Sequence, residues 1–65
     1  MARREVKLRT WRQERGFTQE ELAKKAKVTK RYISQLETGL QENPPLPVLQ
    51  RLAKALGVSV GELLE

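Results

Sequence analysis

The stretch Phe17-Thr18-Gln19-Glu20-Glu21-Leu22-Ala23-Lys24-Lys25-Ala26-Lys27-Val28-Thr29-Lys30-Arg31-Tyr32-Ile33-Ser34-Gln35-Leu36-Glu37-Thr38 decides how this chain folds. One local pattern occurs twice in it: an apolar residue, a threonine, three intervening residues, and a second apolar residue. The two copies are Phe17-Thr18 with Leu22 and Val28-Thr29 with Ile33. In each, the hydroxyl caps backbone N–H groups that the first helical turn leaves unpaired, and the residue before the cap packs on the residue four places into the helix. Thr18 with Glu21 also completes a reciprocal capping box. Two helices are therefore expected, joined only by Lys27, Val28 and Thr29, cap included. So short a connection makes them cross steeply. Leu22, Ala23 and Ala26 face inward from the first, and Val28, Ile33 and Leu36 from the turn and the second. Ala23 is small where the two helices come closest. The second helix is left with a protruding outer face of Lys30, Arg31, Ser34 and Gln35.

Outward from this pair, the same start pattern recurs at Val58-Ser59 with Leu63, where Ser59 and Glu62 form another capping box. Leu46, Leu49, Leu52, Ala53 and Leu56 keep the three-and-four spacing of an amphipathic helix that ends at Gly57. Residues 3 to 15 read as a further helix with Leu8, Trp11 and Arg15 on one face, ending at Gly16. Asn43-Pro44-Pro45 is an extended connection, because a residue before proline avoids helical geometry, and Pro47 falls in a first turn where its missing N–H costs little. The reading is all-α: five helices, no strand, and one compact domain over residues 1 to 65. A chain of 65 residues is near the lower limit for folding without disulfides or metal, so all five helices must share one core.

Cysteine and histidine are both absent, which removes disulfides, thiol nucleophiles, imidazole bases and the usual zinc-ligand sets. All the acids are glutamates on charge-mixed stretches, so neither enzymatic activity nor a cofactor is expected. No apolar run approaches the length of a membrane span, and the expected location is the prokaryotic cytosol or nucleoid, in a bacterial or phage-encoded setting. The net charge of +5 is uneven. Residues 1 to 15 carry six basic and two acidic side chains, residues 16 to 38 five and three, and residues 39 to 65 two and three. A one-sided basic surface attracts a polyanion by releasing counterions from phosphates, and the alternative is a solvated, solubilising excess of charge.

The runs Gly16-Phe17-Thr18-Gln19-Glu20-Glu21-Leu22-Ala23, Tyr32-Ile33-Ser34-Gln35-Leu36-Glu37 with Gly39, and Leu52-Ala53-Lys54-Ala55-Leu56-Gly57-Val58-Ser59 stand in this order along the chain. Together they resemble the phage lambda repressor and Cro-like helix-turn-helix family, over roughly residues 4 to 64. The resemblance implies a sequence-specific regulator of transcription, a repressor in the first instance, whose helix-turn-helix at residues 18 to 38 enters the major groove of double-stranded operator DNA. It places Lys30, Arg31, Ser34 and Gln35 against base edges and Gln19 against a phosphate. The chemistry agrees, since Lys and Arg donate to guanine O6 and N7 and Gln pairs with adenine. Thr29 caps the third helix, and its hydroxyl is also placed to approach the DNA backbone. Tyr32 either joins the core or turns its hydroxyl to a phosphate. Arg12 and Glu37 match an ion pair between the first and third helices. Arg3, Arg4 and Arg9 are open between a phosphate-seeking arm and a solvated face. Two positions depart from the family: Lys27 stands where glycine is usual, and the segment Leu40-Gln41-Glu42-Asn43-Pro44-Pro45 is about one residue long and lacks Lys and Arg.

One such helix reads only a few base pairs, so a homodimer on a two-fold operator is expected. Leu40, Pro45, Leu46, Val60 and Leu64 are the apolar residues available for a dimer contact, unless they close the core. An alternative of another class is an antitoxin that binds a toxin protein and its own promoter. A protein-only adaptor fits poorly with Lys30, Arg31 and Gln35 on the exposed face, and RNA binding lacks stacking aromatics.

Overall fold

The computed structural model describes residues 7 to 41 and 44 to 64. Five helices follow one another: α1 (Leu8–Glu14), α2 (Gln19–Ala26), α3 (Lys30–Thr38), α4 (Leu46–Leu56) and α5 (Val60–Leu64), with no strand among the described residues. The start patterns act locally as their chemistry requires. The Thr18 hydroxyl accepts from the Glu21 N–H at 3.0 Å while the Glu21 carboxylate accepts from the Thr18 N–H at 2.9 Å. Ser59 and Glu62 repeat the exchange at 3.0 and 2.8 Å. Thr29 accepts from the Tyr32 N–H at 3.0 Å. The three apolar residues ahead of these caps, Phe17, Val28 and Val58, lie partly buried against the core, and Leu22, Ile33 and Leu63 are fully enclosed.

α2 lies at the centre, packed against both α3 and α4. Leu8, Leu22, Ile33, Leu52, Leu56 and Leu63 are the largest enclosed side chains, so every helix contributes at least one. Burying such a side chain stabilises the fold by about 1.5–3 kcal/mol. Ala23 is 4% exposed and belongs to the core on the inward face of α2.

α2 and α4 end in the same way. Lys27 N–H donates to Lys24 and Val28 N–H to Ala23; Gly57 N–H donates to Lys54 and Val58 N–H to Ala53. This double bond pattern needs a left-handed residue at the cap. Glycine supplies it at position 57 (φ +74), whereas Lys27 adopts φ 60, ψ 45 and is the one positive-φ residue other than glycine among those described.

Three arginines complete the carbonyl accounting. Arg15 Nε donates to the Leu56 carbonyl at 2.7 Å, Arg51 Nε to the Ala26 carbonyl at 3.0 Å and Arg12 Nη1 to the Phe17 carbonyl at 2.8 Å. The first two serve the C-terminal ends of α4 and α2, where carbonyls lack helical partners and the helix dipole favours a cation. These guanidiniums bond within the molecule.

The structure corrects two expectations, the bounds of the first helix and the place of Leu46. Lys7, expected inside the first helix, is non-helical (φ −82, ψ 48), its N–H donates to the Leu63 carbonyl at 2.8 Å, and α1 starts only at Leu8; residues 3 to 6 of that expected helix lie outside the described residues. Arg3 and Arg4 lie outside the described residues, as does Asn43. Leu46 follows the apolar spacing of α4 but is 57% exposed, because it sits at the first position of the helix, a turn ahead of the buried Leu49. Arg15 shares the face of Leu8 and Trp11 as a surface residue, its guanidinium 5.2 Å from the Trp11 ring centroid. Trp11 is half-buried and donates from Nε1 to the Glu62 carbonyl at 3.3 Å, which joins α1 to α5.

Candidate nucleic-acid interface

The start of α3 is open to an anion. Thr29 satisfies the Tyr32 N–H, leaving the N–H groups of Lys30 and Arg31 ahead of it, and no acidic residue stands in this first turn. Lys30 and Arg31 are themselves exposed, so two side-chain cations flank backbone donors that carry the positive end of the helix dipole. Ser34 and Gln35, a turn further on, are half-buried, so the outer face passes from long cations to shorter neutral hydrogen-bonding groups. Tyr32 is half-buried and packs against the core. The enclosed Ile33 and the buried Leu36 hold the opposite side of α3, and this fixes which side remains outward.

The same helix carries a polar cluster built on one carboxylate. Glu37 has a side chain with no exposure, and three residues from two other helices converge on it. Arg12 donates from Nε to Oε2 at 2.6 Å and from Nη2 to Oε1 at 3.2 Å. Gln19 donates from Nε2 to Oε1 at 3.1 Å, and Arg9 from Nε to the same oxygen at 3.3 Å. Burial pushes the Glu37 carboxyl up, but the hydrogen bonds from Arg12 and Gln19, with the charge of Arg12, outweigh it and hold it below the usual glutamate range. The cluster fastens α3 to α1 and to the first residue of α2.

Of the residues singled out in the sequence, Lys30, Arg31, Ser34 and Gln35 line one helix face and Arg12, Gln19 and Glu37 form the carboxylate cluster, while Thr29 caps α3 and Tyr32 packs against the core. The side chain of Gln19 is tied to Glu37 by one amide hydrogen, leaving its second hydrogen and its carbonyl oxygen. Sequence reasoning left Arg9 unassigned, although its spacing of three from Arg12 on α1 puts the two guanidiniums on one face. The broad basic charge of the N-terminal half is partly spent within the fold. Arg12 and Arg15 bond carbonyls or Glu37, and the Lys25 ammonium lies 5.2 Å from the Phe17 ring centroid. Among the described residues there is no cluster of three or more metal-ligating side chains, and no helix long and apolar enough to cross a membrane.

Residues 8–63 match the family model described as helix-turn-helix. Over 59 residues the chain is 41% identical to the HTH-type transcriptional regulator SinR of Bacillus subtilis, covering 91% of this chain and 53% of that protein. It is 44% identical over 59 residues to the HTH-type transcriptional regulator DdrOP3 of Deinococcus deserti, covering 91% of this chain and 45% of the relative. Among solved structures, the crystal structure of SinR, the master regulator for biofilm formation, in complex with DNA is similar with a TM-score of 0.85 at 41% identity, covering 89% of this chain and 92% of that one. The chain spans about half the length of the curated relatives it matches.

Proposed function

The chain belongs to the helix-turn-helix family of lambda repressor and Cro-like regulators, and from that premise we propose that it is a transcriptional regulator, a repressor in the first instance, which binds double-stranded operator DNA by seating α3 in the major groove. The observation that carries this reading is the start of α3: exposed Lys30 and Arg31 beside open backbone N–H groups, with no acid in the turn. Guanine O6 and N7 accept from such cations, Gln35 pairs with adenine, and Ser34 serves either. Gln19, Thr29 and Tyr32 meet the phosphate backbone and set the register, while the bases set the sequence. The likeness to SinR, solved with DNA, supports the same use of the fold. The protein works where its operator is, in the cytosol or nucleoid, and without enzymatic chemistry. A toxin partner draws no support from the relatives, which are HTH-type transcriptional regulators.

A homodimer follows from the short reach of one helix, with half-sites about one helical turn apart. Leu40, 79% exposed, and Leu46, 57% exposed, offer apolar surface for the contact, whereas Val60 and Leu64 already pack against the core. Sedimentation should show a mass that doubles with concentration or on the two-fold site; a monomer bound tightly to one half-site would exclude the dimer.

The function is tested by selecting bound duplexes from random DNA and titrating the selected operator against a scrambled one at several salt concentrations. The operator should bind at least about a thousandfold more tightly. Equal affinity for both would reduce the protein to a nonspecific phosphate binder.

A further inference from the structure

We infer that Arg9 is a DNA-backbone ligand, paired with Gln19 in a phosphate clamp that Glu37 holds together; the inference rests on the proposed docking of this face on DNA. The charge of the cluster points this way. One carboxylate, Glu37, faces two guanidiniums, Arg9 and Arg12, so the group carries one uncompensated positive charge.

That charge does not belong to Arg12. Its Nε and Nη2 are bonded to Glu37, its Nη1 to the Phe17 carbonyl, and its side chain is only 13% exposed. Arg9 is the opposite case. Its side chain is 56% exposed, it touches Glu37 through Nε alone, and among the described residues neither of its Nη groups has a partner. Arg12 already neutralises the enclosed carboxylate, and the guanidinium of Arg9 is more than half in solvent, which screens it, so this second ion pair adds little to stability and holding the fold together does not account for the arrangement.

Geometry supplies the partner. Arg9 Nε and Gln19 Nε2 donate to the same oxygen, Glu37 Oε1, at 3.3 and 3.1 Å. The two side chains therefore converge on one oxygen, which brings their ends within reach of a single phosphate group. Arg9 Nε has given its one hydrogen to Glu37, but both Nη groups of the same guanidinium remain, as does the second Nε2 hydrogen of Gln19, and a phosphate offers only acceptors. The carboxylate is wholly enclosed and neutralised by Arg12, so it orients both donors without presenting its own charge to the anion. Glu20, in the same turn as Gln19, is exposed, and salt screens its repulsion.

The test compares wild type, Arg9→Gln and Arg9→Lys on the selected operator and on scrambled DNA across a salt series. Arg9→Gln should weaken both duplexes alike, by about fivefold, and flatten the dependence of log K on log salt by about 0.9, the signature of one lost phosphate contact. Arg9→Lys keeps the charge and should recover most of the slope. In wild type, ethylation of one backbone phosphate should impair binding, and Arg9→Gln should be indifferent to it. An unchanged salt slope and unchanged ethylation pattern in Arg9→Gln overturn the clamp while leaving operator binding intact. A wild type that fails to distinguish operator from scrambled DNA overturns the docking itself, and the clamp with it.

Discussion

Arg12 reaches across from α1 and donates to Glu37 on α3 at 2.6 Å, a contact between residues 25 apart in sequence that leaves the carboxylate without solvent exposure. The pair sets how α3 lies against the rest of the molecule. Its worth is asymmetric: the intact pair has to offset the desolvation of two ions, whereas the loss of one partner strands the other.

Arg12→Ala should accordingly destabilise the protein by about 3 kcal/mol, read as a lower urea midpoint. The double variant Arg12→Met with Glu37→Leu should lie much closer to wild type, because no buried charge is left. A double variant as unstable as Arg12→Ala would mean that the pair contributes more than desolvation arithmetic allows.

Stability should also depend on acidity through Glu37. The carboxyl is held below its usual range in the folded protein: burial raises it, and the bonds from Arg12 and Gln19 with the charge of Arg12 more than reverse this. The unfolded chain then takes up the proton at higher pH than the native one, so this stabilisation is complete above the ordinary glutamate pKa and is lost as pH falls through the lowered folded value. Urea midpoints of wild type and Glu37→Gln should converge on acidification. A gap of constant size over that range would assign the acid sensitivity to other glutamates.

Lys27 occupies a conformation that glycine holds at the matching position of α4, with φ 60 against +74 for Gly57. Lys27→Gly should raise stability by about 1 kcal/mol and with it the thermal midpoint. A lower midpoint would show that the Lys27 side chain has a stabilising partner outweighing the strain.

The two groups of candidate residues should separate in binding experiments. Arg31→Ala should cost about 1–3 kcal/mol on the selected operator and relax base preference at one position. Gln19→Ala should weaken operator and scrambled duplexes equally, and it removes one donor from Glu37 as well. If Gln19→Ala alters base preference instead, the division between backbone and base contacts is misplaced.

What was legible in the sequence was local. Thr18 with Glu21 and Ser59 with Glu62 bond across three residues, so their spacing alone specifies the geometry, and the bounds of α2 and α3 follow from their caps. The family resemblance added the Arg12–Glu37 pairing, which spacing could not supply. The remaining polar structure is long-range. Arg9 to Glu37 spans 28 residues, Arg15 to Leu56 spans 41 and Arg51 to Ala26 spans 25. Where a guanidinium on a flexible stem comes to rest depends on which helix ends packing brings near it, and periodicity carries no such information. Leu46 shows the same limit from the apolar side: it keeps the rhythm of α4 but stands at its first position, more than half exposed.

The bond from Lys7 N–H to the Leu63 carbonyl, 2.8 Å long, joins the start of the first helix to the last. Because these two points are adjacent in space, the order in which the helices are strung is separable from the arrangement they adopt. A short linker from α5 back to α1, with the chain reopened at the exposed surface between α1 and α2, would thread the same core in a new order. Such a permutant should retain its helical circular dichroism and a cooperative melt; loss of both would mean that the native order of synthesis, and not the packed arrangement alone, is required for folding.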